Sequence, residues 1–127
     1  MKILGIGVDI IQNSRIKKAI KNKSFVSRIF SKSEITNSKK NNKTNYFAKR
    51  FAAKEAFIKS IGIGIRKGIN FKDIYVINDK FGKPNIKFSN KVNNLIVKKL
   101  KTRNFDIFLS LSDEKNYSIA FVVIQKK

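Results

Sequence analysis

The sequence predicts an α+β fold. Helical periodicity dominates the first half, hairpin-like strands and tight turns close the second, and no linker or internal repeat divides the chain. With 127 residues there is room for one compact domain with one continuous core, residues 1–127.

The elements follow in order. Residues 3–11 (ILGIGVDII) are apolar and β-branched, which predicts a mostly buried strand. Residues 13–21 (NSRIKKAIK) predict a short helix with Asn13 or Ser14 as its cap. A second helical stretch covers Phe25–Ile29. Ser31–Ile35 starts another turn, with Glu34 three residues after Ser31 as in a capping box. Residues 36–45 are polar and read as a surface loop. The strongest helix runs from about Asn45 to Ser60 and stops at Gly62-Ile63-Gly64. Asp73–Asn78 reads as a strand, Phe81–Pro84 as a turn and Asn85–Phe88 as the returning strand. Val92, Leu95, Ile96 and Leu100 mark a helix over Asn90–Leu100. Phe105–Ser112 and Tyr117–Gln125 are the last two strands, joined by a turn at Asp113–Asn116.

Composition narrows the chemistry. With no cysteine and no histidine, disulfides, thiolate nucleophiles, Cys-based zinc sites and a histidine base are all excluded. Catalysis is left to carboxylates, lysines, hydroxyls or a hard cation held through oxygen. The formal net charge of +21 points to an anionic partner, although abundant Lys, Asn, Ile and Phe also fit codon bias in an AT-rich genome. No apolar run reaches the roughly 20 residues of a membrane span, and the N-terminus has neither the length nor the cleavage site of a signal peptide. A soluble, cytoplasmic protein is expected.

Only 8 residues are acidic, so an acid in an apolar setting needs a reason. In the first strand Leu4, Ile6, Val8 and Ile10 share one face, which is read as core. Gly5, Gly7 and Asp9 share the other, leaving room for a backbone or a ligand beside a carboxylate. Asp9 either ends the strand as a cap or serves that opening. The long helix is apolar nearly all round yet carries Arg50, Lys54, Glu55 and Lys59. A Glu55–Lys59 helical pair and snorkelling bases are the plain explanation. Mg²⁺ is the chemical one, since it takes one or two carboxylates together with water and substrate phosphate oxygens. Arg50, Lys54 and Lys59 would then neutralise phosphate charge.

Two segments resemble a known family. Gly5-Ile6-Gly7-Val8-Asp9 is similar to the N-terminal G-x-D signature of the phosphopantetheinyl transferases. Phe51-Ala52-Ala53-Lys54-Glu55-Ala56-Phe57-Ile58-Lys59 is similar to their central F-x-x-K-E-A-x-x-K signature. Arg50, Gly62–Ile65, Gly82-Lys83-Pro84 and Ser110-Leu111-Ser112 also resemble the short, bacterial-type holo-acyl-carrier-protein synthase branch. The resemblance implies a single transferase-like domain with a small antiparallel sheet packed against the long central helix.

It also implies a reaction. The 4′-phosphopantetheine arm of coenzyme A passes to a serine of apo-acyl carrier protein, and adenosine 3′,5′-bisphosphate leaves, in support of fatty acid biosynthesis. On this resemblance Asp9 and Glu55 bind Mg²⁺, and Lys59 stabilises or protonates the leaving phosphate. Arg50, Lys54 and Lys59 contact coenzyme A phosphates, and Gly64, Pro84 and Ser112 line the nucleotide site. Glu55 or a metal-bound water deprotonates the serine. The acidic carrier protein meets Arg15, with Lys17, Lys18 and Arg28 nearby, and the enzyme is a homotrimer whose active sites are shared between subunits. Many relatives carry histidine after the Ser-Leu-Ser segment, where this chain has Asp113, either a substrate contact or a turn residue. A small nucleic-acid-binding protein is the rival class, but the aromatics fall at core spacing and no RNA- or zinc-finger-type motif accompanies them.

Overall fold

The computed structural model describes residues 2–63 and 68–127. Strand β1 (Lys2–Gln12) leads into three short helices, α1 (Asn13–Ala19), α2 (Lys23–Ile29) and α3 (Lys32–Ser38), and then the long helix α4 (Lys43–Ile61). A 3₁₀ turn at Phe71–Asp73 precedes the hairpin of β2 (Ile74–Asn78) and β3 (Pro84–Phe88). Helix α5 (Asn90–Leu100) and strands β4 (Phe105–Asp113) and β5 (Tyr117–Lys126) complete the chain. β1, β5 and β4 form an antiparallel sheet in that order, while β2 and β3 make a separate two-stranded one. This is the expected α+β architecture.

Local chemistry explains most boundaries. Asn42 caps α4 by accepting from the Asn45 amide, so the helix begins at Lys43, two residues before the predicted start. Gly62 ends it in the left-handed conformation at φ 76°, where a side chain would be strained. The Ser31–Glu34 capping box forms, and it carries α3 through Ser38 into the stretch read from sequence as loop. Asn13 does not cap α1. Its buried side chain instead donates to the carbonyls of Glu114 and Lys115 and accepts from the Ser118 hydroxyl, fastening α1 to the β4–β5 turn.

Leu4 packs against the core as expected, but after an irregularity between Ile3 and Gly5 the two faces of β1 are the reverse of the sequence expectation. Ile6, Val8 and Ile10 are 62%, 55% and 58% exposed, and they point away from the core. The face with Gly5, Gly7 and Asp9 is turned towards α4. A Cβ on Gly5 would overlap the Ser60 carbonyl oxygen, and one on Gly7 the Ala56 carbonyl oxygen. Glycine is therefore what lets the helix backbone lie directly on the strand. The small residues Ala52, Ala53 and Ala56 are fully buried and serve the same close approach from the helix. Bulk is supplied by Val122 and Ile124 of β5, Leu109 of β4, and Phe47 and Phe57 of α4.

Candidate active site

The close approach of β1 and α4 sets up the first cluster. Asp9 follows the glycines on the strand face that meets α4, and Lys59 reaches it from the last turn of the helix. The Lys59 ammonium donates to Asp9 Oδ1 at 3.0 Å and to the Val8 carbonyl at 3.1 Å. Glu55 lies one helical turn before Lys59, half-buried. Burial pushes its carboxyl above the ordinary value of 4.5, the Asp9 charge pushes it further, and Lys59 opposes both. Asp9, Glu55 and Lys59 thus form one electrostatic unit, as their pattern in the sequence predicted.

Two carboxylates crowded together invite a cation. Among the described residues no group of three or more histidine, cysteine or acidic side chains is placed to hold a metal. A donor set of two carboxylates suits Mg²⁺, which keeps waters and takes substrate oxygens at its other positions.

Lys54 belongs elsewhere, and its expected contact with a substrate phosphate is not supported. Its side chain is fully buried on a different face of α4. The ammonium donates to Glu34 Oε1 at 2.7 Å, to the Ile29 carbonyl at 2.7 Å and to the Phe71 carbonyl at 3.2 Å. With its three donors used, no phosphate can reach it without breaking the core. Burial pulls its pKa down and Glu34 holds it up. Glu34 itself is fully buried, accepting also from the Ser31 and Val76 amides. The sequence reading saw Glu34 only as half of a capping box. The scarcity of acids that singled out Asp9 and Glu55 applied equally to it.

Arg50 forms a second cluster in the other half of α4, nine residues and so about 14 Å along the helix from Lys59. Its guanidinium stacks 3.8 Å from the Tyr46 ring centre and donates to Asn78 Oδ1 at 3.3 Å, while its buried Nε has no partner. Asn78 pairs with Pro84 across the β2–β3 hairpin, which brings that proline to the same end of the molecule. A cavity of about 290 Å³ opens here between Arg50, Lys49, Asn45, Asn78 and Asp113. Asp113 ends β4 and accepts from Asn45 Nδ2 at 2.8 Å, with the Lys49 ammonium 3.4 Å away. It therefore links β4 to the start of α4. Its neighbour Ser112 is exposed. Gly64 lies outside the described residues.

The basic residues expected to meet a carrier are at the surface. Arg15, Lys17 and Lys18 are exposed on α1, and Arg28 is exposed on the last turn of α2, its Nε donating to the Ser24 carbonyl.

Comparison with known proteins identifies the family. The family model described as the 4′-phosphopantetheinyl transferase superfamily matches residues 5–122, spanning both clusters. A holo-[acyl-carrier-protein] synthase of Pelagibacter ubique is 56% identical over 128 residues, covering 100% of both chains. Among solved structures, the holo-[acyl-carrier-protein] synthase of Neisseria meningitidis superposes with a TM-score of 0.86 at 36% identity, over 98% of this chain and 100% of that one. The Bacillus anthracis enzyme, solved in complex with CoA (3′,5′-ADP), gives a TM-score of 0.80 at 36% identity, over 98% of each chain. The chain belongs to the 4′-phosphopantetheinyl transferase superfamily.

Proposed function

We propose that this protein transfers the 4′-phosphopantetheine arm of coenzyme A to a serine of an apo-acyl carrier protein. The observation that carries the proposal is the Asp9–Glu55–Lys59 cluster, set between β1 and α4 in a chain that is 56% identical throughout to a holo-[acyl-carrier-protein] synthase. The serine oxygen forms a bond to the β-phosphorus of coenzyme A. The bond from that phosphorus to the bridging oxygen breaks, and adenosine 3′,5′-bisphosphate leaves with the bond's electrons.

Asp9 and Glu55 are the residues that would hold Mg²⁺, which supplies neutralisation of the pyrophosphate charge when bound. Either Glu55 or a metal-bound water would receive the serine proton. Lys59 balances Asp9 in the free enzyme. With its side chain 55% exposed, it is free to swing to the leaving phosphate. Arg50, with an unpartnered Nε in a cavity-lining guanidinium, is the candidate for a coenzyme A phosphate, and Pro84 and Ser112 flank that end of the molecule. Arg15, Lys17, Lys18 and Arg28 present positive charge to an acidic carrier.

A homotrimer with active sites shared between neighbouring subunits accompanies this reading. The uncovered apolar face of the sheet supplies a surface for such an assembly. A cytoplasmic location accompanies this reading, and among the described residues no helix is long and apolar enough to cross a membrane. The test is to incubate the protein with apo-carrier, coenzyme A and Mg²⁺ and to weigh the carrier. A mass gain of one phosphopantetheine arm is expected. A folded enzyme that adds nothing overturns the proposal, and salt-dependent RNA binding in its place favours the nucleic-acid reading.

A further inference from the structure

The buried Lys54–Glu34 pair sits between the two surfaces that the reaction needs, and it touches neither substrate. Lys54 precedes the metal candidate Glu55 in α4. The carbonyl it grips belongs to Ile29, which follows the carrier-facing Arg28 in α2. One side-chain hydrogen bond of 2.7 Å therefore connects Arg28–Ile29 to Lys54–Glu55. Glu34 completes the joint from α3 and extends it to β2 through the Val76 amide, while the Phe71 carbonyl brings in the 3₁₀ turn. All three polar partners of Lys54 come from outside its own helix.

Packing alone does not require this arrangement. Replacing a buried ion pair with apolar residues of similar volume is often neutral or stabilising, so a buried lysine is a poor means of filling a core. What an ammonium with three defined acceptors does well is fix distance and direction between the elements it joins.

We infer that Lys54, held by Glu34, is a positioning residue that sets the carrier-docking end of α2 at a fixed distance from the Glu55 end of the chemical site. This rests on the transferase reading above. The serine arrives on a folded protein partner, so the spacing between docking surface and metal cluster decides whether its oxygen reaches the β-phosphorus. Lys54 and Glu34 make no direct hydrogen bond to the coenzyme A candidate Arg50 or to the Asp9–Lys59 pair.

The experiment compares wild type, Lys54→Met and Glu34→Gln for carrier KM and kcat. Direct carrier binding is measured by fluorescence anisotropy, and coenzyme A binding with Mg²⁺ by calorimetry. Both variants are expected to lower kcat by about tenfold or more while carrier binding and coenzyme A affinity each stay within about twofold. Ile96→Ala, a core truncation in α5, controls for lost stability and should leave kcat per folded enzyme unchanged even at a comparable fall in Tm. If Lys54→Met does not fold, the double variant Lys54→Met/Glu34→Gln decides alone, because it removes the bond to Ile29 without leaving the Glu34 charge buried and unpaired. An unchanged kcat in a folded variant overturns the inference, as does a loss in coenzyme A binding equal to the loss in kcat. Failure of the wild type to transfer anything removes the transferase reading, whereas a wild type that transfers beside variants of unchanged kcat removes only the positioning role.

Discussion

At the scale of single residues, Glu55 is a carboxylate kept in an unfavourable place. Glu55 is half-buried beside Asp9, and both effects favour its protonated form in the folded chain over the unfolded one. The linkage then has a definite sign. Below the unfolded value of 4.5 the group is protonated in both states and costs nothing. As pH rises from there through the raised folded value, the unfolded chain gives up its proton first, and stability is lost. Without metal, Glu55→Gln should melt at a higher temperature than wild type at pH 7.5. The difference should disappear below about pH 4.5, which a thermal melt series in EDTA measures. Added Mg²⁺ should raise the Tm of wild type more than that of Glu55→Gln. Equal melting of the two proteins at pH 7.5 would show that Glu55 is not under electrostatic stress. For Lys59, the expected role in stabilising leaving-group charge predicts that Lys59→Ala lowers kcat by about 10²–10³ and leaves the fold intact by circular dichroism.

At the scale of elements, the glycines of β1 carry a burden that the sequence disguised. Their presence beside Asp9 was plain, and so was a need for close approach on that face. The occupant was not. Alternation identified two faces of the strand, but it assigned the Ile6–Val8–Ile10 face to the core because that face is apolar. Hydrophobicity alone does not distinguish a face buried in one chain from one covered in an assembly. The long helix was legible, since its apolar circumference and the Gly62 stop are local signals. The Glu34–Lys54 pair was not, because partners twenty residues apart, on different helices, leave no periodic trace. The glycines give the test at this scale. In Gly7→Ala the new methyl meets the Ala56 carbonyl, a backbone atom in the middle of a rigid helix, so β1 must lift from α4. A loss of about 1–3 kcal/mol in urea unfolding is expected from such overpacking. Activity should fall further than the unfolded fraction accounts for, because the lifted strand carries Asp9 away from Glu55. Gly82→Ala is the contrast. It meets no neighbouring atom within 4 Å, so its penalty comes only from its positive φ, and catalysis should be unaffected.

At the scale of the whole molecule, the outer sheet face and the net charge act against each other. Val8 opposes Phe121 and Ile10 opposes Ile119 across the β1–β5 ladder, and Phe108 continues the apolar surface on β4. An apolar surface crossing three strands favours covering by another copy. Each copy also brings a formal charge of +21, so association concentrates positive charge. Salt should accordingly strengthen the assembly by screening that repulsion, while weakening the docking of an acidic carrier, where the charges are opposite. Sedimentation across a salt series checks the first effect, and carrier KM across the same series checks the second. Phe121→Lys puts a charge at the centre of the face without touching either cluster. It should yield a folded monomer with native far-ultraviolet dichroism and little transfer activity, because each active site then lacks the neighbour that completes it. Phe121→Leu, which keeps the face apolar, should remain assembled and active. A monomeric Phe121→Lys with full activity would mean that each chain completes its own site, and that the apolar face serves some other contact.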